Sequence, residues 1–261
     1  MTAMTRTAAA LAVLLLQAAA LPARALTAGE ALAKVRVLDE RTHNNGDFTG
    51  LCFLEQKEKD KDDVVRELVY YRRSEGQRLL MLFTRPKAEA GKGYLRIEKN
   101  LWLYDPSTGK WERRTERERI GGSDSRRGDF DESRLAEEFD VKWEADEKLG
   151  AYATHRLLLT AKEGVDVAYP TVRLWLDAAT GNLLKRQDLA LSGRLMRTAL
   201  YPRWKKVWSE SKKGDVWYPE QIYLYDEIEK ANSTMVIIKQ VDLRPLDANM
   251  FTKAWLEAKS R

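Results

Sequence analysis

Residues 91–114 read GKGYLRIEKNLWLYDPSTGKWERR, and the fold turns on how they are read. Gly93 to Lys99 alternates apolar and charged residues, with Leu95 and Ile97 on one side and Arg96 on the other. A period of two marks a half-buried strand. Leu101 to Tyr104 is apolar on both faces, Leu101 and Leu103 opposite Trp102 and Tyr104. Asp105-Pro106-Ser107-Thr108-Gly109 then closes a turn: proline presets φ, aspartate bonds back to the backbone, and glycine accepts positive φ. Lys110 to Thr115 restarts the alternation. The stretch predicts a β-meander. A strand apolar on both faces is either buried on both sides or rests one face on apolar matter that is not the chain itself.

The same pattern continues in both directions. Asp47 to Glu58 and Val64 to Arg73 read as a hairpin around the polar turn Lys59-Asp60-Lys61-Asp62-Asp63. Gln77 to Thr84 holds a second run apolar on both faces, Leu79 to Phe83, which Pro86 stops because proline cannot donate to a ladder. Thr27 to His43 reads as a helix: Thr27-x-x-Glu30 is a capping box, and Ala28, Leu32, Val35 and Leu38 form one apolar stripe. Between Glu116 and Phe139 the alternation breaks into a loop around Gly121–Gly128, followed by a short helix over Asp131 to Glu138. Strands resume at Val141–Glu147, Ala153–Ala161, Thr171–Asp177, Leu183–Leu191, Leu195–Trp208, Trp217–Glu229 and Thr234–Leu243, and Asp247 to Ala258 ends the chain as a helix. The prediction is a mainly β domain: one large antiparallel sheet, helix first and helix last.

The chain of 261 residues, 44% hydrophobic and 33% charged, has a soluble globular balance rather than a disordered one. Its formal charge of +5 is small and mixed in sign along the chain, which argues against nucleic acid as a partner. Residues 1–25 read as a secretory signal peptide: Arg6 opens it, Ala8 to Leu21 is its apolar core, and Ala23-Arg24-Ala25 is a small-x-small cleavage site. That core is too short for a membrane anchor. Residues 26–261 are then a single exported domain, most simply in a bacterial periplasm.

Catalytic patterns do not emerge. Cys52 stands alone and reads as a small buried apolar residue. His43 and His155 have no ligand spacing around them, so neither a metal nor a cofactor is expected. No nucleophile elbow or phosphate loop occurs. Asp124, Asp129 and Asp131 lack calcium-loop spacing and read as solvated loop carboxylates.

The order of several weak motifs resembles the outer-membrane lipoprotein-sorting (LolA-like) family, in its larger periplasmic branch often found beside efflux-type transporters. The matching residues are Pro86, Gly93, Trp102, Tyr104 and Pro106, then Gly122-Ser123-Asp124. Here Ser125-Arg126-Arg127-Gly128 intervenes before Asp129-Phe130-Asp131, a departure from the family pattern. Tyr169-Pro170, Leu174-Trp175-Leu176-Asp177, Tyr218-Pro219, Phe251 and Leu256 complete the series.

The resemblance implies a strongly curved antiparallel sheet, an unclosed β-barrel, with helices in or near its concave face and acyl chains between the two. A lipid cavity would then be lined by Leu32, Val35, Leu38, Leu80, Leu82, Leu95, Ile97, Leu101, Leu103, Leu157, Leu159, Val172, Leu174, Leu176, Ile222 and Leu224. The first helix would cross the inside of the sheet, against the Leu95–Ile97 and Val172–Leu176 strands. Arg113, Arg114, Arg126 and Arg127 would form a patch for lipid headgroups or an acidic partner. The implied function is a monomeric periplasmic carrier or chaperone for lipid or an acylated protein, touching membranes transiently and exchanging cargo with an inner-membrane transporter. The alternative is a periplasmic sensor of the same fold that grips a partner protein.

Overall fold

The computed structural model describes residues 25–97, 100–115 and 117–260. The expected leader, apart from Ala25, lies outside them. Helix α1, Ala28–Thr42, opens the described chain, and its capping box is formed: the Thr27 hydroxyl accepts from the Glu30 N–H, and the Thr27 N–H donates to the Glu30 carboxylate at 2.7 Å. Six strands follow: β1 (Asp47–Lys57), β2 (Val64–Arg73), β3 (Arg78–Arg85), β4 (Gly93–Ile97), β5 (Asn100–Asp105) and β6 (Lys110–Arg114). After a long connection come the four-residue helix α2 (Leu135–Glu138), then β7 (Phe139–Leu149), β8 (Tyr152–Ala161), β9 (Thr171–Asp177) and β10 (Leu183–Leu189). The chain ends with β11 (Leu195–Ser209), β12 (Gly214–Asp226), β13 (Ser233–Asp242) and helix α3 (Lys253–Lys259).

All thirteen strands join one open antiparallel sheet in the order β6-β5-β4-β3-β2-β1-β13-β12-β11-β10-β9-β8-β7. The chain meanders outward to one edge at β6, passes to the opposite edge at β7, and meanders back until β13 pairs with β1. The sheet is strongly curved and unclosed, as the resemblance implied. Residues 117–134, on the way between the two edges, run across its inner face.

Side-chain parity divides the sheet into two apolar layers. On the inner face Phe48, Cys52 and Leu54 of β1, Leu68 and Tyr70 of β2, Leu79, Met81 and Phe83 of β3, and Leu157 to Val236 of the later strands form one buried cluster with Val35 and Leu38 of α1. Leu101 of β5 belongs to it, with Leu103 packed at its margin. On the outer face Leu80, Leu95 and Tyr104 lie under Phe251 and Leu256, with Leu82 and Ile97 beside them. Two glycines allow close approach. Gly50 lets the Tyr70 ring lie on β1, in the space a Cβ would fill, and Gly93 lets Leu256 of α3 rest on β4. The strand Leu101–Tyr104 is therefore covered on both sides by the chain itself.

The structure corrects one expectation here. Leu80, Leu82, Leu95 and Ile97 face outward, under α3, and not toward the inner face. Their inward neighbours on β4 are Tyr94 and Arg96, both buried. An arginine in an alternating strand reads as solvent-facing, but Arg96 is turned inward because Asp131 neutralises it there, Nη1 donating at 2.9 Å. Helix α1 packs on β7, β12 and α2 rather than against the Leu95–Ile97 strand. Val35 and Leu38 share the cluster of Val172, Leu174 and Leu176 as expected, while Leu32 is half-buried.

Candidate functional site

The inner face is roofed by two pieces: α1, and the connection 117–134 between the sheet's edges. Both are held by polar contacts at their margins. Asp39 of α1 accepts from the Ala136 N–H at 2.8 Å and from the Ser133 hydroxyl at 2.5 Å, tying the two pieces together. Burial is the main influence on the Asp39 carboxyl and pushes its pKa up. Arg41 reaches the Thr180 carbonyl at 2.6 Å in the β9–β10 turn and stacks over Trp217 of β12.

The connection is stitched to widely separated strands. Gln56 of β1 donates to the Gly122 carbonyl at 3.1 Å, and the Tyr94 hydroxyl of β4 accepts from the Gly121 N–H at 3.2 Å. Thr234 of β13 accepts from the Asp124 N–H at 2.9 Å. Arg197 of β11 is the central tie. It donates twice to Asp129 at 2.6 and 3.0 Å, once to the Asp124 carbonyl, and through Nε to Asp188 at 2.7 Å. Arg186 completes the group on Asp188 at 2.6 Å. Asp188 is fully buried; burial works to raise its pKa, but Arg186 and Arg197 outweigh that and hold it below the usual carboxylate range. Burial likewise opposes the charge on Arg197, and Asp129 with Asp188 more than restores it.

These contacts overturn the reading of the loop carboxylates as solvated. Asp124, Asp129 and Asp131 all have buried side chains: Asp129 and Asp131 anchor the connection to Arg197 and Arg96 of the sheet, while Asp124 pairs with Arg119 and Asp131 also with Arg127 within the connection. Nor do the four arginines of the expected patch come together. Arg113 is exposed on edge strand β6, Arg114 pairs with Glu112 and Glu118, Arg126 is half-buried, and Arg127 is buried against Asp131. Asp131, taken up by arginines, does not cap a helix, which explains why α2 begins only at Leu135.

Several hollows adjoin the roof, among them an open one of about 740 Å³ between Arg36, Asp39 and His43 on the α1 side and Ser133, Arg134 and Ala136. Beneath the roof, a cavity of about 90 Å³ is lined by Leu38, Phe130, Leu135, Leu183, Ile222 and Ile238, with Tyr70, Arg72, Trp204 and Trp217 around them. On the other side of the 128–135 stretch lies a charged cavity of about 110 Å³, lined by Arg126, Arg127, Arg134, Arg186 and Arg197 among carboxylates. Outside, an open groove of about 520 Å³ runs between Lys34 and Val37 of α1 and the β9–β10 turn, with Leu176 at its floor. Of the residues expected to line a lipid space, Leu38 and Ile222 line the inner cavity and Leu176 the groove. Val35, Leu101, Leu157, Leu159, Val172, Leu174 and Leu224 are fully packed core. Sequence reasoning missed Phe130, Leu135 and Leu183; the lone aromatic within Asp129-Phe130-Asp131 was the signal available.

No group of His, Cys, Asp and Glu among the described residues could hold a metal ion. No helix among them is long and apolar enough to cross a membrane.

Residues 75–258 match a protein-family model described as that of an uncharacterized protein. No curated protein matches the chain. Among solved structures, a putative outer membrane lipoprotein-sorting protein domain from Vibrio parahaemolyticus superposes with a TM-score of 0.76 at 20% identity, over 88% of this chain and 100% of that one. A LolA superfamily protein from Nitrosomonas europaea gives 0.72 at 20% identity, over 86% and 98%. A DUF1329 family protein from Desulfovibrio piger gives 0.76 at 17% identity, over 88% and 98%.

Proposed function

We propose that the chain, which belongs to the family whose model matches residues 75–258 and shares the fold of solved lipoprotein-sorting (LolA-like) domains, is a periplasmic carrier or chaperone for acyl chains and not an enzyme. Residues 1–25 act as its export signal and residues 26–261 as one domain. The cargo is lipid or the acyl groups of an acylated protein, exchanged with an inner-membrane transporter.

One observation carries this reading: an apolar inner face spanning the sheet is covered by two short pieces whose margins are fastened by polar contacts. Small-molecule pockets usually measure about 300–1,000 Å³, so the cavity of about 90 Å³ has to widen to take an acyl chain. An acyl chain enters by displacing α1, which is bordered by open hollows on two sides. Sixteen methylene units leaving water gain on the order of 10 kcal/mol before ordering costs. That is enough to offset the apolar contacts of Val35 and Leu38 with the sheet, which the chain itself replaces.

The test is lipid mass spectrometry on protein purified from periplasm, alongside titration of delipidated protein with a fluorescent fatty acid. Co-purifying acyl lipid and saturable binding are expected. Protein that carries no lipid and binds no fatty acid refutes the reading.

A further inference from the structure

Arg72 stands in the wall of the inner cavity with no acid to balance it. It lies on β2, is 7% exposed, and points inward beside Tyr70. Its Nη1 donates to the Phe130 carbonyl at 3.3 Å, and its Nε is buried without any partner. Its guanidinium lies 3.9 Å over the Phe48 ring. Among the described residues no carboxylate pairs with it. Asp129 and Asp131, which also line the cavity, are occupied by Arg197 and by Arg96 and Arg127.

This is an uncommon arrangement. Buried polar atoms are nearly always bonded, and a buried cation without a counter-charge is costly. A ring face and one long carbonyl contact do not replace a carboxylate. Most other polar groups under the roof are satisfied, so the deficit is local to a cavity that has room for a small oxyanion.

We infer that Arg72 is the receptor for the anionic head of the cargo, so that the preferred ligand is an acyl chain ending in a carboxylate or phosphate group. This deepens the carrier reading and rests on it. The head sits in the present cavity, in charge-assisted bonds from the Arg72 Nε and Nη groups. The tail runs between α1 and the inner face, where Leu38 and Ile222 already line the space. Entry of the head also competes for the Arg72 bond to Phe130, which belongs to the roof, so that binding and loosening of the connection are coupled.

The test is calorimetric titration of delipidated full-length mature protein with a matched series: hexadecanoic acid, hexadecyl phosphate and methyl hexadecanoate, with acetate and inorganic phosphate as chainless anions. Both anionic amphiphiles should bind roughly ten- to a hundredfold more tightly than the ester, the range for a hydrogen bond to a charged group. Arg72→Met should abolish that preference, while the ester, which makes no use of the guanidinium, still binds saturably and so reports an intact fold. Should Arg72→Met fail to fold, Arg72→Lys is read instead and should keep most of the preference. Equal binding of acid and ester to the wild type overturns the head assignment and leaves the carrier reading standing. So does an undiminished preference in Arg72→Met. Chainless anions binding as tightly as the amphiphiles overturn it too, in favour of a free-anion site. Binding of none of the series overturns both readings.

Discussion

Arg197 shows what single residues contribute here. It neutralises Asp129 on the connection and Asp188 on the sheet, so removing it leaves two buried carboxylates short of a partner. Arg197→Met should cost about 3–5 kcal/mol and lower Tm by on the order of 10 °C for a domain of this size. A melt unchanged from wild type would show that the network bears no strain. Asp188 sets an acid limit. Its folded pKa is depressed, so the unfolded chain takes up the proton first. Its contribution is fully present above the ordinary carboxylate value of about 4 and is lost as pH falls through the lower folded value. Urea midpoints followed downward in pH should drop most steeply below about pH 4, and Asp188→Asn should flatten that drop. None of this was legible in the sequence. Arg197 and Asp129 are 68 positions apart, and a charge within a loop reads as solvated until the fold supplies its partner.

At the scale of elements the sequence was a good guide. Each strand lies close to where alternation and turn residues placed it, β2 and β9 to the residue, because the period of two is a local property of the chain. What alternation cannot tell is which side faces in. In β3 and β4 both faces are apolar or carry a neutralised charge, so Leu80 and Leu95 were assigned to the wrong layer. The two layers can be separated experimentally. Leu256→Ala empties the outer layer beneath α3 and should cost about 2–5 kcal/mol without altering acyl affinity of the folded protein. A loss of acyl affinity in that variant would mean that ligand occupies the outer face. For the roof, Asp39→Cys paired with Ser133→Cys places a disulfide where α1 meets the connection. Fatty-acid uptake should stop when it is oxidised and return on reduction; uptake unaffected by oxidation would rule out α1 as the moving part.

For the whole molecule, the edges of the sheet are protected by different means. Strand β6 is five residues long and mostly charged, and β7 is flanked by α1 and α2. Short charged edges resist pairing with other chains. The central seam has a different consequence. Thr49 of β1 lies opposite Asp242 of β13, so the first strand made finds its second neighbour only when the last is complete. Each flanking meander can form from local hairpins, but their union closes a loop of nearly the whole chain, the kind of contact that makes folding slow. A nascent chain thus carries two half-sheets with exposed inner faces until its C-terminal strand arrives. Chains cut just before Ser233 should therefore remain open and sticky, held by chaperones, while addition of the missing strand as a peptide should restore a cooperative melt.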